Sequence, residues 1–290
     1  MSAVIQPSLS VSQNFLKDPR LVASLIERSS IGPQDVVYEI GPGKGIITAE
    51  LARRCKRVIA IEKDPALAAF LHEKLAHLRN LTIRTADFLS CPLPPLPYKV
   101  FSNIPFNITA AIMTHLTESA HPSEDSYLVM QKEAAEMYLG QPYASLRSVL
   151  LQPWFKLEIL HQFRRSDFSP QPGVDVVLLR LSKRKQPPLT RSDRQRFRDF
   201  VVYGFTAWRP SLRETLQDVF SYKQLKHISR DLRIDLVRPP TAFCCQDWLL
   251  LFEAYKELAR PQAIHTIAGS EKRLQRQQEK LHKVHRTRRR

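Results

Sequence analysis

Val36-Val37-Tyr38-Glu39-Ile40-Gly41-Pro42-Gly43-Lys44-Gly45 is the stretch that decides the fold. Its first half predicts a strand, its three glycines predict a tight turn, and the residues from Ile46 to Arg54 show helical periodicity. A strand, a glycine turn and a helix in this order let the backbone approach a ligand at the carboxyl end of a parallel sheet. The spacing is G-x-G-x-G, whereas a pyrophosphate prefers G-x-G-x-x-G, and Glu39 would repel phosphate. The turn therefore favours a cationic ligand; the alternative is a tight turn without a ligand.

Short apolar runs alternate with helical patterns across the first 182 residues. The predicted strands are Val36–Ile40, Arg57–Ile61, Leu81–Thr85, Lys99–Asn103, Tyr127–Gln131, Lys156–Phe163 and Val174–Leu181. The predicted helices between them are Ile46–Arg54, Ala66–Ala76, Ala110–Glu118 and Ala134–Leu139. This alternation indicates an α/β fold with a parallel, doubly wound sheet. The last two strands have little helix between them, which predicts an antiparallel hairpin ending the sheet.

Composition divides the chain into three parts. Residues 1–182 form the predicted α/β domain, and the linker 183–191, with two prolines and four cations, cannot form a core element. Apolar side chains at helical spacing predict a small all-helical C-terminal domain over residues 183–260. These side chains are Phe197, Phe200, Val201, Phe205 and Trp208. Residues 261–290 hold nine cations, two acids and few large apolar groups, so we expect a disordered basic tail.

The charge is unevenly distributed. The chain has 44 Lys and Arg against 28 Asp and Glu, a net charge of +16. Residues 183–290 carry 25 of the basic and 11 of the acidic side chains. This asymmetry indicates a polyanionic partner, either a nucleic acid or an anionic membrane; the alternative is a basic soluble protein without such a partner. No apolar run approaches the ~18 residues of a spanning helix, so we expect no membrane insertion.

The cysteines and the N-terminus indicate the cellular compartment. Cys55, Cys91, Cys244 and Cys245 form neither a C-x-x-C pair nor a disulfide framework. Residues 1–12 have neither the basic-then-apolar pattern of an export signal nor the Arg-rich pattern of an organellar transit peptide. We therefore expect a reduced, cytoplasmic protein without a metal site.

Acidic side chains end the next two predicted strands. Glu62 lies 21 residues after Gly41, where a carboxylate can accept both ribose hydroxyls of a nucleoside. Asp87 follows the third strand and can accept the exocyclic amine of adenine. Each acid alone is also compatible with a helix cap or a solvated strand end. Glu39, Glu62 and Asp87 are thus acidic side chains at the ends of three successive predicted strands, the first of which leads into the glycine turn. Together they indicate an adenosine that carries a positive charge and no phosphates, which is S-adenosylmethionine.

The fourth predicted strand ends in Asn103-Ile104-Pro105-Phe106. Pro105 favours an extended Ile104, which would point the Ile104 carbonyl and the Asn103 side chain into one space beside the Phe106 ring. Two acceptors and an aromatic ring suit a planar base with an exocyclic amino group; the alternative is an Asn-Pro turn with a core phenylalanine. Upstream, the polar residues 13–14 adjoin an apolar pair, and we interpret this segment as a lid over the ligand pocket.

The chain resembles the rRNA adenine N6-dimethyltransferases over roughly residues 10–258. The resemblance lies in the order and spacing of five motifs: Ser-Gln-Asn-Phe-Leu, Glu-Ile-Gly-Pro-Gly-Lys-Gly, Ile-Glu-Lys-Asp, Ala-Asp-Phe and Asn-Ile-Pro-Phe. The Asn-Ile-Pro-Phe form and the basic tail are most similar to the Erm macrolide-resistance methyltransferases, because the housekeeping small-subunit enzymes usually carry Asn-Leu-Pro-Tyr. The resemblance implies a Rossmann-like class I methyltransferase sheet with a small all-helical C-terminal domain.

The same resemblance implies an activity and a set of site residues. The activity is transfer of one or two methyl groups from S-adenosyl-L-methionine, without a metal, to N6 of an adenine in 23S rRNA, giving resistance to macrolides, lincosamides and streptogramin B. A monomer that binds 23S rRNA and no membrane is expected. The implied cofactor-binding residues are Asn14, Leu16, Gly41, Glu62, Asp87 and Asn103. The implied target-base residues are Asn103, Ile104, Phe106 and Phe168, with the two phenylalanine rings on opposite faces of the adenine.

Three other functions stay open at this point. One is the housekeeping dimethyltransferase of 16S rRNA, and a second is a non-catalytic nucleic-acid-binding protein on the same fold. A third, less favoured by the motifs, is a DNA adenine methyltransferase. No Ser/His/Asp or Cys/His arrangement indicates covalent catalysis, and none of the nine histidines is assigned a chemical role.

Overall fold

The computed structural model describes residues 14–287, with side chains to Lys280. Within that range the chain forms two compact units. Unit 1 runs to Ala135 and takes in Lys156–Lys183, and unit 2 consists of Glu136–Phe155 and the residues from Arg184 onward. The predicted boundary after residue 182 is close to the third crossing between the units, at Lys183 and Arg184. The sequence reading missed that Glu136–Phe155, placed in the first domain by position, belongs to the helical unit.

Apolar, β-branched runs form the strands of unit 1. The strands are β1 (Phe15–Leu16), β2 (Val36–Ile40), β3 (Arg57–Glu62), β4 (Leu81–Thr85), β5 (Lys99–Asn103), β6 (Asp125–Gln131), β7 (Phe155–Gln162), β8 (Phe168–Ser169) and β9 (Val176–Lys183). Seven of them form one sheet in the order β4-β3-β2-β5-β6-β9-β7. The first five are parallel, and β9 runs antiparallel to β6. The predicted α/β class is confirmed, and β9 and β7 end the sheet at the predicted place.

Helices follow the strands of unit 1 because the parallel order requires crossovers. They are α1 (Pro19–Glu27), α2 (Ile46–Ala52), α3 (Pro65–Lys74) and α4 (Thr109–Glu118), and α5 (Lys132–Leu139) begins in unit 1 and ends in unit 2. Two begin with the same local signal, an Asp N-cap followed by proline: Asp18 accepts from the N–H of Arg20, and Asp64 from that of Ala66. The central residues of the inner parallel strands are buried from both faces, as Val58, Val100 and Val129 show by having no exposed surface.

Unit 2 is helical and has its own core. Its helices are α6 (Leu146–Leu151), α7 (Arg194–Thr206), α8 (Leu212–Leu216), α9 (Tyr222–Leu232), α10 (Cys245–Leu258), α11 (Pro261–Ile267) and α12 (Ser270–Thr287). Phe197, Phe200 and Val201 on α7 are fully buried, as their spacing predicts, and pack with Trp248 and Phe252 of α10.

The prediction of a disordered tail after residue 260 is wrong for the residues that the structure describes. Helices α11 and α12 follow, and the first turn of α12 is held to α7 by charged groups that composition does not reveal. Asp199 accepts from the N–H groups of Gly269 (2.9 Å) and Glu271 (3.0 Å). The Glu271 carboxylate in turn binds the Arg198 guanidinium at 2.5 Å, with both side chains nearly buried.

Candidate functional site

The glycine turn between β2 and α2 has the geometry that its sequence predicts. Gly41, Gly43 and Gly45 all have positive φ, at 62°, 55° and 78°. A Cβ on Gly43 would overlap the ring of Phe15, and one on Gly45 would lie 2.6 Å from Leu71 Cδ2. Around Gly41, in contrast, no atom lies within 4 Å of a built Cβ, so the backbone there borders open space. Gly43 and Gly45 are thus required for close packing, whereas Gly41 leaves the backbone open to a ligand.

A cleft opens at the carboxyl ends of β2 and β5. Its walls combine the N-terminal segment, the glycine turn and the end of β5. The lining residues are Asn14, Phe15, Leu16, Glu39, Gly41, Pro42, Lys44, Ile46, Ile47, Asn103, Ile104, Pro105 and Phe106. Seven residues predicted for the site therefore meet in one cavity. They are Asn14, Leu16, Gly41, Asn103, Ile104, Phe106 and, as the acid before the glycine turn, Glu39.

Glu39 is the most unusual titratable group of the cleft. Its side chain is 1% exposed, and Oε2 has no hydrogen-bond partner within the part of the chain that the structure describes. Burial raises the pKa of the Glu39 carboxyl to about 8, although the nearby Thr48 hydroxyl offsets part of this effect. The carboxyl group is therefore mostly protonated at neutral pH, and a cation that enters the cleft would lower this pKa and favour the ionised form.

Glu62 and Asp87 lie at the ends of β3 and β4, next along the same edge of the sheet, but outside the cleft lining. The buried Glu62 carboxylate accepts from the N–H of Gly43 (3.2 Å) and of Asp64 (3.0 Å). Asp87 accepts from Lys63 Nζ at 2.8 Å and caps a short 3-10 helix through the N–H of Leu89 at 3.0 Å. The hydrogen bond from Lys63 lowers the pKa of the Asp87 carboxyl. Oδ1 of Asp87 therefore caps a helix, which is one of the two alternatives that the sequence left open for this residue.

The Asn103-Ile104-Pro105-Phe106 segment forms the opposite wall. Asn103 Nδ2 donates to the carbonyl of Asn14 at 2.7 Å, which orients the side-chain amide and leaves Oδ1 to accept. Pro105 is extended (φ −61°, ψ 124°), and a 3-10 turn begins at Phe106, whose ring is partly buried against the core. Asn103, Ile104 and Phe106 thus line the same cleft, and their roles toward a base stay a prediction.

The predicted lid is a short strap. Strand β1 pairs antiparallel with β8, with Leu16 opposite Phe168, and the N–H of Lys17 donates to the Asp167 carbonyl at 3.0 Å. Asn14, Phe15 and Leu16 line the cleft, and Lys44 Nζ lies 5.2 Å from the centre of the Phe15 ring. Residues 1–13 lie outside the described residues. They include the first half of the lid motif, residues 12–13, and the stretch 1–12 from which the absence of a targeting signal was predicted.

Phe168 is the predicted target-base residue that the structure does not bring to the cleft. Its ring is 1% exposed and packs edge-on against Phe163, with centroids 5.3 Å apart. It is a core residue of unit 1 in this conformation, so its role as the second clamp on a base stays a prediction.

Sequence reasoning assigned no ligand-binding role to several residues of the cleft lining, among them Phe15 and Lys44. Both stand inside motifs that were quoted for their neighbours, so the only available signal was their position in those motifs. Within residues 14–287 there is no group of three His, Cys, Asp or Glu side chains placed to hold a metal ion. No helix in the same range has the length and apolar character needed to cross a membrane.

Comparison with known proteins gives consistent matches. The family model for ribosomal RNA adenine dimethylase matches residues 6–257. An rRNA adenine N-6-methyltransferase of Saccharopolyspora erythraea is 33% identical over 86% of this chain and 65% of that protein. A ribosomal RNA small subunit methyltransferase A of Streptococcus pneumoniae is 34% identical over 73% of this chain and 77% of that protein. Among solved structures, the 23S rRNA methyltransferase ErmE aligns with a TM-score of 0.78 at 30% identity, covering 84% of this chain and 100% of that one.

Proposed function

The chain belongs to the ribosomal RNA adenine dimethylase family and is an rRNA adenine N6-methyltransferase, and from that premise we propose that it acts on one adenine of 23S rRNA. The methyl donor is S-adenosyl-L-methionine, and the product confers resistance to macrolides, lincosamides and streptogramin B. The observation that carries the proposal is the cleft itself, which joins the glycine turn to the Asn103–Phe106 segment. A cytoplasmic location and a monomeric state are part of the proposal.

The residues of the cleft fit a cationic nucleoside. The open backbone at Gly41 and the unpartnered carboxyl group of Glu39 favour a positively charged ligand without phosphates. Glu62 would hold the ribose hydroxyls and Asp87 the adenine amine, while Asn14, Leu16 and Asn103 would border the ligand from the strap and from β5. When bound, the donor supplies an electrophilic methyl group on a sulfonium.

The Asn103–Phe106 wall would hold the target adenine. The Phe106 ring stacks on the base, and Asn103 Oδ1 and the Ile104 carbonyl accept its two N6 hydrogens. These acceptors favour a more pyramidal nitrogen and lie where positive charge develops as N6 is methylated. No strong base is required beforehand, because the alkylated nitrogen is acidic and loses its proton to water. Most of the rate then comes from positioning. In the proposed complex Phe168 clamps the second face, for which its ring has to leave the core.

The charge of unit 2 suits the RNA. This unit holds 25 of the 44 Lys and Arg residues and 12 of the 28 Asp and Glu residues. Such a charge binds phosphates, with an affinity that falls as salt is raised. The target base has to leave its stack to reach a cleft of this kind, which is easiest in a loop or at an unpaired nucleotide.

The test is methylation of naked 23S and naked 16S rRNA in parallel with labelled donor, followed by mapping of the modified nucleotide. Label on one adenine of 23S rRNA alone is the expected result. Label confined to 16S rRNA would instead identify the housekeeping enzyme, a function also favoured by the match to the small-subunit methyltransferase of Streptococcus pneumoniae. Absence of donor binding in a calorimeter would contradict both and leave the non-catalytic interpretation.

A further inference from the structure

The indole of Trp208 stands in solvent just beyond the end of α7. It is 97% exposed, more than any other large apolar side chain in the described part of the chain. Its φ is +53°, a region that residues with a Cβ seldom adopt. The helical spacing predicted a core position, as it did correctly for Phe197 and Phe200, but α7 ends at Thr206 and the backbone turns the ring outward. An exposed aromatic ring on a strained backbone is a combination that folding alone does not favour.

The ring borders a groove with a rigid floor. The groove is lined by Gly204, Phe205, Trp208, Arg209, Pro210, Pro240 and Thr241. Phe205 stacks on the buried Trp248 at 5.2 Å between centroids, and a Cβ on Gly204 would overlap the Trp248 ring. We call the outer part of this groove, formed by Trp208, Arg209, Pro210, Pro240 and Thr241, the Trp208 platform. Two prolines and the packed floor restrict its movement.

Two arginines lie on the platform or on a segment next to it. Arg209 is 38% exposed while its guanidinium binds the Asp218 carboxylate at 2.9 Å. Arg238 is exposed on the neighbouring segment, whose backbone is tied to α8 by the hydrogen bond from the Leu212 N–H to the Arg238 carbonyl at 3.0 Å. An aromatic face flanked by arginines is complementary to a nucleobase flanked by phosphates.

We propose that the Trp208 platform binds an unpaired nucleobase of the RNA substrate, which stacks on the indole while its flanking phosphates face Arg209 and Arg238. This inference rests on the proposed function and extends it, because the platform lies in unit 2 whereas the ring proposed for the target adenine, Phe106, lies in unit 1. In this proposal the nucleotide bound here is distinct from the one that is methylated. It would place the substrate, since sequence-specific RNA recognition relies on unstacked bases.

Tryptophan fluorescence gives a direct readout. The chain has three tryptophans: Trp248 is fully buried, and the half-buried Trp154 lies beneath the Arg194 guanidinium at 5.1 Å. Acrylamide quenching of the full-length protein therefore reports mainly on Trp208, and the difference between wild type and Trp208→Ala isolates its signal. We expect naked rRNA, and single-stranded oligonucleotides cut from it, to quench this emission and to protect it from acrylamide.

Binding measurements with variants complete the test. Trp208→Ala should raise the Kd for rRNA by about 5- to 150-fold, the effect of losing one base stack, whereas Trp208→Phe should stay within a few-fold of wild type. Turnover at saturating RNA and donor affinity should not change in either variant. Tyr143→Ala is the matched control, because Tyr143 is another exposed aromatic residue of unit 2, at 67%, and its removal should leave the Kd unchanged.

The outcomes separate this inference from the proposed function. If wild type methylates rRNA but Trp208 stays fully open to acrylamide in the complex, or Trp208→Ala binds normally, the platform proposal alone is wrong. If protection of Trp208 from acrylamide rises with protein concentration in the absence of RNA, the platform is a contact between protein chains. This result would also overturn the platform proposal. If wild type neither binds nor methylates rRNA, both proposals fail.

Discussion

Replacing Glu39 by Gln should remove a specific pH dependence from the stability of the protein. The carboxyl group is fully buried with one unpartnered oxygen, and burial raises its pKa from 4.5 to about 8. Between those two values the folded chain binds a proton that the unfolded chain has released. Each increase in pH within this window therefore lowers the free energy of unfolding, with a limiting slope of about 1.4 kcal/mol per pH unit.

The size of the effect follows from the two pKa values of Glu39. Integrated from pH 5.5 to pH 7.5, the contribution of this carboxyl falls by roughly 2.5 kcal/mol. A glutamine side chain has nearly the same shape but does not ionise, so Glu39→Gln should lack this loss. The advantage of the variant over wild type should therefore grow by the same roughly 2.5 kcal/mol over that pH range.

Urea unfolding at the two pH values, followed by circular dichroism, measures the difference between the variants directly. Other titrating groups cancel because both proteins share them. Glu39→Asp is the control, since it keeps a buried carboxyl group at the same position and should retain the pH dependence. Wild-type and Glu39→Gln stabilities that run parallel across the range would show that Glu39 is ionised or paired in the folded protein, which would refute the reasoning.

Three further predictions test the cleft and the C-terminal helix. Asn103→Ala should lower the methylation rate by about 10²- to 10³-fold with donor affinity within a few-fold of wild type; a normal rate in the labelled-methyl assay would contradict its role. Gly43→Ala should destabilise the protein by at least about 1–2 kcal/mol, because a left-handed backbone and the Phe15 ring both oppose a Cβ; an unchanged melting temperature would refute this. Glu271→Gln breaks the nearly buried pair with Arg198 and should increase amide hydrogen exchange in α12 while leaving β2–β5 protected; equal exchange in α12 would show that the pair does not hold the helix.

The sheet was predictable because burial on both faces leaves a strong local signal. Val36–Ile40, Leu81–Thr85 and Lys99–Asn103 were placed with their observed ends. The meeting of Gly41, Asn103 and Phe106 followed from the parallel order, which gathers the carboxyl ends of strands at one edge.

The errors arose where a long-range partner overrides local composition. Residues after 260 are too polar to order themselves alone, yet Asp199 and Arg198, about 70 positions earlier, hold the first turn of α12. Phe168 is buried by its pairing with Leu16 and its packing on Phe163, which the motif did not indicate, and its assignment to a base stays a prediction. Trp208 fits the apolar spacing of α7, and only the end of that helix and a positive φ place it in water.

The antiparallel pairing of Phe15–Leu16 with Phe168–Ser169 has a practical consequence for expression and engineering. These residues near the start of the chain are a structural element, with Leu16 in the core, and not a leader that can be trimmed for convenience. A truncated protein starting at Pro19 would lose the cleft wall formed by Asn14, Phe15 and Leu16 and would uncover the edge of β8, which favours aggregation. Affinity tags are better fused upstream of residue 14 through a flexible spacer, so that this pairing can still form.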